Sequence, residues 1–155
     1  MKAPSADGWI PWIVEDVARL KIAHAILDAE CVCDGDNGVT DFDRLMARGH
    51  DASAYAYAFD LLAIDDRDVR REPLEQRKAA LAKLLHKAKP GIRLSEHLPG
   101  PGHTIFEHAC RFGLEGLVSK RLNSPYRSGK AKCWIKVKNP KAPAMLRIAE
   151  GGWQT

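Results

Sequence analysis

The basic residues toward the end of the sequence are spaced in a way that could bind an anion. Residues 115–139 read EGLVSKRLNSPYRSGKAKCWIKVKN, in which one carboxylate, Glu115, precedes seven lysines and arginines. Alternate side chains of a β-strand point to opposite faces, so Lys136 and Lys138 would share one face, opposite the apolar residues of that strand. Two cations on one face predict a bound phosphate, with a solvated basic face as the alternative.

Two further residues could contribute to binding. Glu30 lies in the compact β-type run AILDAECVC, and Phe59 closes an alternating row of aromatics in SAYAYAFDLLAI. Each has a simpler interpretation, because Glu30 could face water on an edge strand and Phe59 could belong to the core. Likewise, Glu115 and Lys120 could form a surface ion pair worth ~0–1 kcal/mol.

The elements that must position these residues are predicted from hydrophobic periodicity and turn signals. The predicted helices cover residues 10–20, 41–48, 73–89 and 103–112, and the predicted strands cover 25–33, 53–64, 92–98, 114–122 and 132–138. The chain has no βαβ phosphate-loop fingerprint. The pattern therefore predicts an α+β fold with mixed or antiparallel sheets flanked by helices, in which strand side chains would hold a nucleotide.

Composition sets the broad class of the protein. The 155 residues suit one domain, and 45% hydrophobic and 28% charged residues are close to globular averages. The four cysteines, at positions 31, 33, 110 and 133, show no C-x-x-C spacing, which favours reduced thiols in a cytoplasmic protein. No run has the length of a signal core or a membrane span, so neither export nor a membrane is expected.

Five short motifs occur together in a characteristic order. They are LDAE (27–30), YAFDLL (57–62), PLEQRK (73–78), EGLVSK (115–120) and WIKVKN (134–139). In order and spacing, this set resembles ATP-dependent DNA ligases, above all the bacterial ligase-D type associated with end joining. The resemblance covers roughly residues 11–144. RNA-capping guanylyltransferases share related motifs, but EGLVSK followed by SPYRSG favours a DNA ligase.

The resemblance implies a partial adenylation domain over residues 11–140, between an irregular amino terminus (1–10) and a tail (141–155). Its fold would be the covalent nucleotidyltransferase fold, related to ATP-grasp, and its cofactors ATP and Mg²⁺ or Mn²⁺. By likeness, Phe59 would stack on the adenine and Glu30 would contact the ribose hydroxyls. Glu115 would help to hold the metal, because hard cations prefer oxygen ligands.

The same likeness assigns the basic residues. Lys136 and Lys138 would contact the α-phosphate, with Lys120 beside them, and fixed cations stabilise the charge that develops during nucleotidyl transfer. Nicked or broken double-stranded DNA is the expected partner. Its backbone would meet Arg121, Arg127 and Lys130, for which plain solubilising charge is an equal alternative. Arg77 matches a position often kept in these ligases, but it could equally be an ordinary helix-surface arginine.

The sequence departs from the ligase pattern in three places. It contains no K-x-D-G element, whose lysine becomes adenylated in ligases, and Ser5-Ala6-Asp7-Gly8 has serine at that position. Ala29 replaces the usual glycine of the first motif, and too few residues follow WIKVKN for an OB-fold. We therefore expect impaired joining by the isolated chain and no self-adenylation, unless a separate chain supplies the missing parts.

Two other functions are compatible with these departures. One is a non-catalytic nucleotide- or nucleic-acid-binding module, or a subunit of a split ligase, that keeps the binding residues. The other is a stable domain without a present function. In each case the protein would be cytoplasmic and, as a DNA-binding protein, associated with the nucleoid.

Overall fold

A computed structural model of the chain describes residues 10–47, 53–129 and 131–142. They divide between two compact units. Unit 1 comprises the described residues within Met1–Glu96 together with Leu122–Tyr126, and unit 2 comprises those within His97–Arg121 and Arg127–Thr155. Each unit has its own sheet. A short segment from the second half of the chain thus belongs to unit 1.

The sheet of unit 1 is built around one long strand. Strands β1 (Ala25–Val32), β2 (Tyr55–Ile64), β3 (Arg67–Asp68) and β4 (Ile92–Leu94) form it. Strand β2 pairs antiparallel with β1 and β3 and parallel with β4. The sheet is therefore mixed, which confirms the predicted α+β class.

The pairing of β1 with β2 contains two register shifts. Ala29 pairs with Ala58 whereas Asp28 pairs with Asp60, so Phe59 is an extra residue on β2. A second shift in the same ladder leaves an extra residue at Leu62. Such β-bulges bend a strand locally and change the direction of side chains.

Helices α1 (Pro11–Ala18) and α3 (Leu74–Leu85) cover the apolar face of this sheet, while α2 (Phe42–Met46) is a short turn of helix. Leu81 of α3 is fully buried, as are Ala58 and Leu61 of β2. The buried core of unit 1 comprises Ile13, Ala56, Ala58, Leu61, Val69, Leu81, Leu85 and Ile92. Apolar residues at helical spacing on α1 and α3 account for this packing.

Unit 2 contains helix α4 (Gly102–Arg111) and a two-stranded antiparallel ribbon of β5 (Gly116–Lys120) and β6 (Trp134–Lys138). Asn139, which is 2% exposed, closes the end of the ribbon. Its side-chain amide donates to the carbonyl of Leu114 at 2.9 Å, and its backbone N–H donates to the carbonyl of Glu115 at 2.7 Å. Asn139 thereby fixes the start of β5.

The elements agree with the sequence periodicity to within a few residues, and β3 is the strand that the sequence analysis missed. The predicted strand over 92–98 ends at Leu94. All four cysteines are thiols, with Cys33 buried and Cys31 exposed. Among the described residues no helix is long and apolar enough to cross a bilayer. Ser5 to Gly8 and the tail after Ala142 lie outside the described residues.

Candidate functional site

The ribbon of unit 2 brings the three predicted phosphate-binding lysines to one face. Residues directly opposite each other in an antiparallel pair share a face. The opposed pairs are Gly116 with Lys138, Val118 with Lys136, and Lys120 with Trp134. Lys136 and Lys138 are exposed on that face, and Lys120 is half-buried. The prediction that Lys136 and Lys138 share a face agrees with this register.

Lys120 is fixed by an aromatic contact. Its ammonium nitrogen lies 4.0 Å from the centroid of the Trp134 ring on the opposite strand. A cation over an indole face is attracted by the ring electrons, with roughly 0.5–2 kcal/mol of stabilisation depending on exposure. This contact limits the positions that the ammonium group can reach. The strand register places Lys120 at the end of the ribbon away from Lys138.

Glu115 immediately precedes the ribbon, and Gly116 explains how the strands approach there. Gly116 has a φ of +154°, and an added Cβ would lie 2.1 Å from the carbonyl oxygen of Val137. Only glycine fits this combination of backbone conformation and close strand approach. The side chain of Glu115 is exposed, while its carbonyl accepts the Asn139 hydrogen bond described above.

In unit 1, neighbouring strands carry the predicted adenine and ribose residues. Glu30 is exposed on β1 and pairs with Tyr57 of β2, two residues before Phe59. Phe59 is half-buried and occupies the first β-bulge. Bulges occur often beside binding sites because they redirect a side chain. Half-burial agrees only in part with the alternative that Phe59 belongs to the core. The alternative that Glu30 faces water agrees with its exposure.

The aromatic row predicted on β2 is interrupted by this bulge. Tyr55 and Tyr57 are neighbours, with ring centroids 5.8 Å apart in an edge-to-face arrangement. The Tyr55 hydroxyl donates to Asp34 at 2.9 Å, and the Arg93 guanidinium lies 3.7 Å from the ring centroid. Burial, followed by the Asp34 hydrogen bond, raises the pKa of Tyr55 to about 12. Tyr55 is thus a neutral hydrogen-bond donor at neutral pH.

Sequence reasoning left the role of Arg77 open, and the alternative of a helix-surface arginine is wrong. Both Arg77 and Asp60 are 0% exposed, and they form a two-pronged ion pair inside unit 1. One sequence signal could have predicted the burial of Arg77, namely the carboxylate of Asp60 directly after Phe59. A buried arginine needs a carboxylate, and FDLL supplies one in the middle of an apolar strand.

The remaining predicted residues are less informative. Arg121 and Arg127 are exposed in unit 2, and Lys130 lies outside the described residues. Within residues 10–47, 53–129 and 131–142, no group of three or more histidines, cysteines or carboxylates is arranged to hold a metal ion. Glu115 offers one exposed carboxylate, and Mg²⁺ usually completes its coordination with oxygens from a bound phosphate or water.

Comparison with known proteins decides the family. The sequence model of the ATP-dependent DNA ligase domain matches residues 9–138 of this chain. The chain belongs to the ATP-dependent DNA ligase family. Among curated ligases, it is 32% identical over 144 residues to the multifunctional non-homologous end joining DNA repair protein LigD of Mycobacterium tuberculosis. It is 30% identical over 152 residues to a probable DNA ligase of Sorangium cellulosum.

Solved ligase structures have the same fold. The ligase domain of M. tuberculosis LigD superposes with a TM-score of 0.73 at 29% identity, over 89% of this chain and 44% of that domain. A mycobacterial DNA ligase D complexed with ATP and MES also gives 0.73, at 30% identity, over 86% of this chain and 43% of that one. The fold is accordingly that of an adenylation domain of the LigD type.

The match covers part of each ligase relative. It takes in 92% of this chain but 18% of M. tuberculosis LigD, and 90% of this chain but 28% of the S. cellulosum ligase. The family model over residues 9–138 takes in the first four sequence motifs and all of WIKVKN except its last residue. This chain spans less than a third of the length of either relative.

Proposed function

We propose that this chain binds ATP or an adenylate and takes part in adenylyl transfer during DNA nick or end joining. The observation that carries the proposal is the common face of Lys120, Lys136 and Lys138 on the ribbon of unit 2. Three amines on one surface lower the energy of a phosphate group, and nucleotidyl transfer depends on cations placed at the reacting phosphate. Membership of the ATP-dependent DNA ligase family supports the choice of ATP.

Each unit carries residues of the types that bind part of a nucleotide. In unit 1, Phe59 would stack on the adenine, because a flat ring binds any base without a fixed hydrogen-bond pattern, and Glu30 would accept hydrogen bonds from the ribose hydroxyls. In unit 2, Lys136 and Lys138 would bind the α-phosphate. Glu115 would hold a divalent metal that neutralises phosphate charge when bound.

The DNA partner and any second chain belong to the same proposal. Arg121, Arg127 and Lys130 are basic residues on or beside the β5–β6 connection and would contact the phosphates of nicked or broken DNA. Such contacts are independent of sequence and weaken as salt rises. A separate polypeptide could supply the K-x-D-G lysine and the OB-fold in a cytoplasmic, nucleoid-associated complex.

Substitutions at the site should weaken nucleotide binding. Phe59→Ala removes the stacking surface, worth ~1–3 kcal/mol per base, so we expect roughly 10- to 100-fold weaker ATP binding. Lys136→Met removes a fixed cation and should cost a similar or larger factor. Titration calorimetry with ATP and with AMP measures both. Lys87→Met, at an exposed lysine beyond α3, is the matched control, and equal affinities across all four proteins would overturn the assignment.

Chemistry on the nucleotide should be restricted to later steps. Incubation with α-labelled ATP followed by denaturing electrophoresis should leave this chain unlabelled, because no K-x-D-G lysine is present to form the intermediate. Nicked DNA that already carries a 5′-adenylate should be sealed slowly, and Lys136→Met should abolish that sealing. If wild type and Lys136→Met give no difference while ATP still binds, the non-catalytic binding module is the better description.

A further inference from the structure

The ion pair between Arg77 and Asp60 is buried beyond the reach of solvent. The Arg77 Nε donates to Asp60 Oδ1 at 2.8 Å, and Nη2 donates to Oδ2 at 2.9 Å. Asp60 Oδ1 also accepts the backbone N–H of Leu61 at 2.9 Å. A buried pair of this kind often adds little stability over apolar side chains of the same volume. Stability alone therefore does not explain why an ion pair occupies this position.

Asp60 lies at the edge of the first β-bulge. Phe59 is the extra residue of that bulge, since Asp28 pairs with Asp60 and Ala29 with Ala58. The direction of its side chain therefore depends on how the bulge is held. Anchoring Asp60 through both carboxylate oxygens restrains the backbone immediately after Phe59.

Arg77 also holds a second segment against helix α3. Its Nη1 donates to the carbonyls of Glu72 and Ser124. The segment Leu122–Tyr126 provides further carbonyls to the start of α3, since the N–H groups of Leu74 and Glu75 donate to Ser124 and Leu122, each at 3.0 Å. These bonds satisfy helix N–H groups that Pro73, the N-cap residue, does not cap with its side chain.

The same segment reaches strand β1 through Tyr126. The Tyr126 hydroxyl donates to Asp28 Oδ2 at 2.9 Å, and its backbone N–H donates to the carbonyl of Arg70 at 2.8 Å. Asp28 is the ladder partner of Asp60 and lies two residues before Glu30. Arg77 is thus connected to β2 through Asp60 and to β1 through Ser124 and Tyr126.

We propose that Arg77 is a positioning residue that sets the orientation of Phe59 and Glu30. Through Asp60 it fixes the bulge that carries Phe59, and through the Leu122–Tyr126 segment it fixes the part of β1 that carries Glu30. The proposal deepens the nucleotide-binding function above and rests on it. It assigns to the ion pair a specific effect on ligand affinity that an apolar pair of equal stability would lack.

The first experiment measures the bulge without any nucleotide. Amide hydrogen exchange is compared between wild type, Arg77→Met and Arg71→Met, the last being an exposed arginine just before α3. We expect exchange at residues 58–62 to become at least 10-fold faster in Arg77→Met than in Arg71→Met, relative to the helical amides of α3. An equal acceleration of every protected amide in unit 1 would overturn the positioning role.

The second experiment separates positioning from folding. The double variant Asp60→Leu with Arg77→Met replaces the pair by apolar side chains and should fold, whereas Arg77→Lys retains one charged contact. At a temperature where circular dichroism shows all variants folded, we expect the double variant to bind ATP at least 10-fold more weakly than wild type. Arg77→Lys should recover part of that loss.

Failure of the Arg77 inference and failure of the proposed ATP binding would give different results. In the double variant, Phe59→Ala should cause a smaller additional loss of ATP affinity than it causes in wild type, because Phe59 is already misplaced. Wild-type affinity in the folded double variant would overturn the inference while leaving ATP binding intact. Absence of ATP binding by wild type would overturn the proposed function and the nucleotide role of Arg77, with selective exchange at the bulge then showing a purely structural restraint.

Discussion

Replacing Asp60 by alanine should lower the free energy of unfolding by about 3–5 kcal/mol, because it leaves a fully buried guanidinium without its counter-charge. Arg77 would keep its two carbonyl acceptors, but these do not neutralise the charge. Urea unfolding followed by far-ultraviolet circular dichroism measures the change. A loss below about 1 kcal/mol would contradict the expectation and would place the Asp60 effect in the range of exposed ion pairs.

The controls for this experiment use other charged residues of unit 1. Asp36→Ala removes an exposed partner of Arg44, since the Asp36 side chain is 93% exposed, and should change stability by less than about 1 kcal/mol. The double variant Asp60→Leu with Arg77→Met should recover most of the loss. A double-mutant cycle then gives the coupling between the two side chains directly.

Gly116→Ala should be the most damaging small substitution in unit 2. The new Cβ would lie 2.1 Å from the Val137 oxygen and 2.9 Å from the Cα of Lys138, and the backbone φ of +154° disfavours any side chain. Strained backbone and overpacking each cost about 1–3 kcal/mol, so we expect a loss of about 3 kcal/mol in the stability of the ribbon. Hydrogen exchange at the β5 amides gives the local measurement.

Gly102→Ala provides the matched control for that substitution. Gly102 begins helix α4, and its φ is not positive. Apart from its chain neighbours and the backbone of its own helix, an added Cβ would meet nothing within 4 Å. Alanine there should be neutral or should stabilise the protein by about 0.4–1 kcal/mol. If Gly116→Ala proved equally mild, the close strand approach at Gly116 would not be needed for the ribbon.

The sequence predicted the elements well because their signals are local. The leucine spacing of α3 and the alternation of Trp134 to Lys138 each depend on fewer than fifteen consecutive residues, and the structure agrees with both. The same alternation placed Lys136 and Lys138 on one face. The family resemblance supplied the residues of the candidate site, and the ligase domain match confirmed the family.

The geometry of the site could not be predicted in the same way. The bulge at Phe59 depends on how β1 and β2 align, and the order of the three other strands around β2 depends on contacts between distant residues. Neither leaves a local pattern. The burial of Arg77 was missed for a related reason, since its partners Asp60 and Ser124 lie 17 and 47 residues away in the sequence.

The route of the chain has a practical consequence for subcloning. Leu122–Tyr126 belongs to unit 1, whereas the residues on both sides of it belong to unit 2. The polypeptide therefore passes from one unit to the other after Glu96, Arg121 and Tyr126. No single truncation point yields either unit complete and by itself. A gene truncated after Glu96 would encode α3 without the carbonyls of Leu122 and Ser124 that cap it. Arg77 would also lose its hydrogen bond to the Ser124 carbonyl.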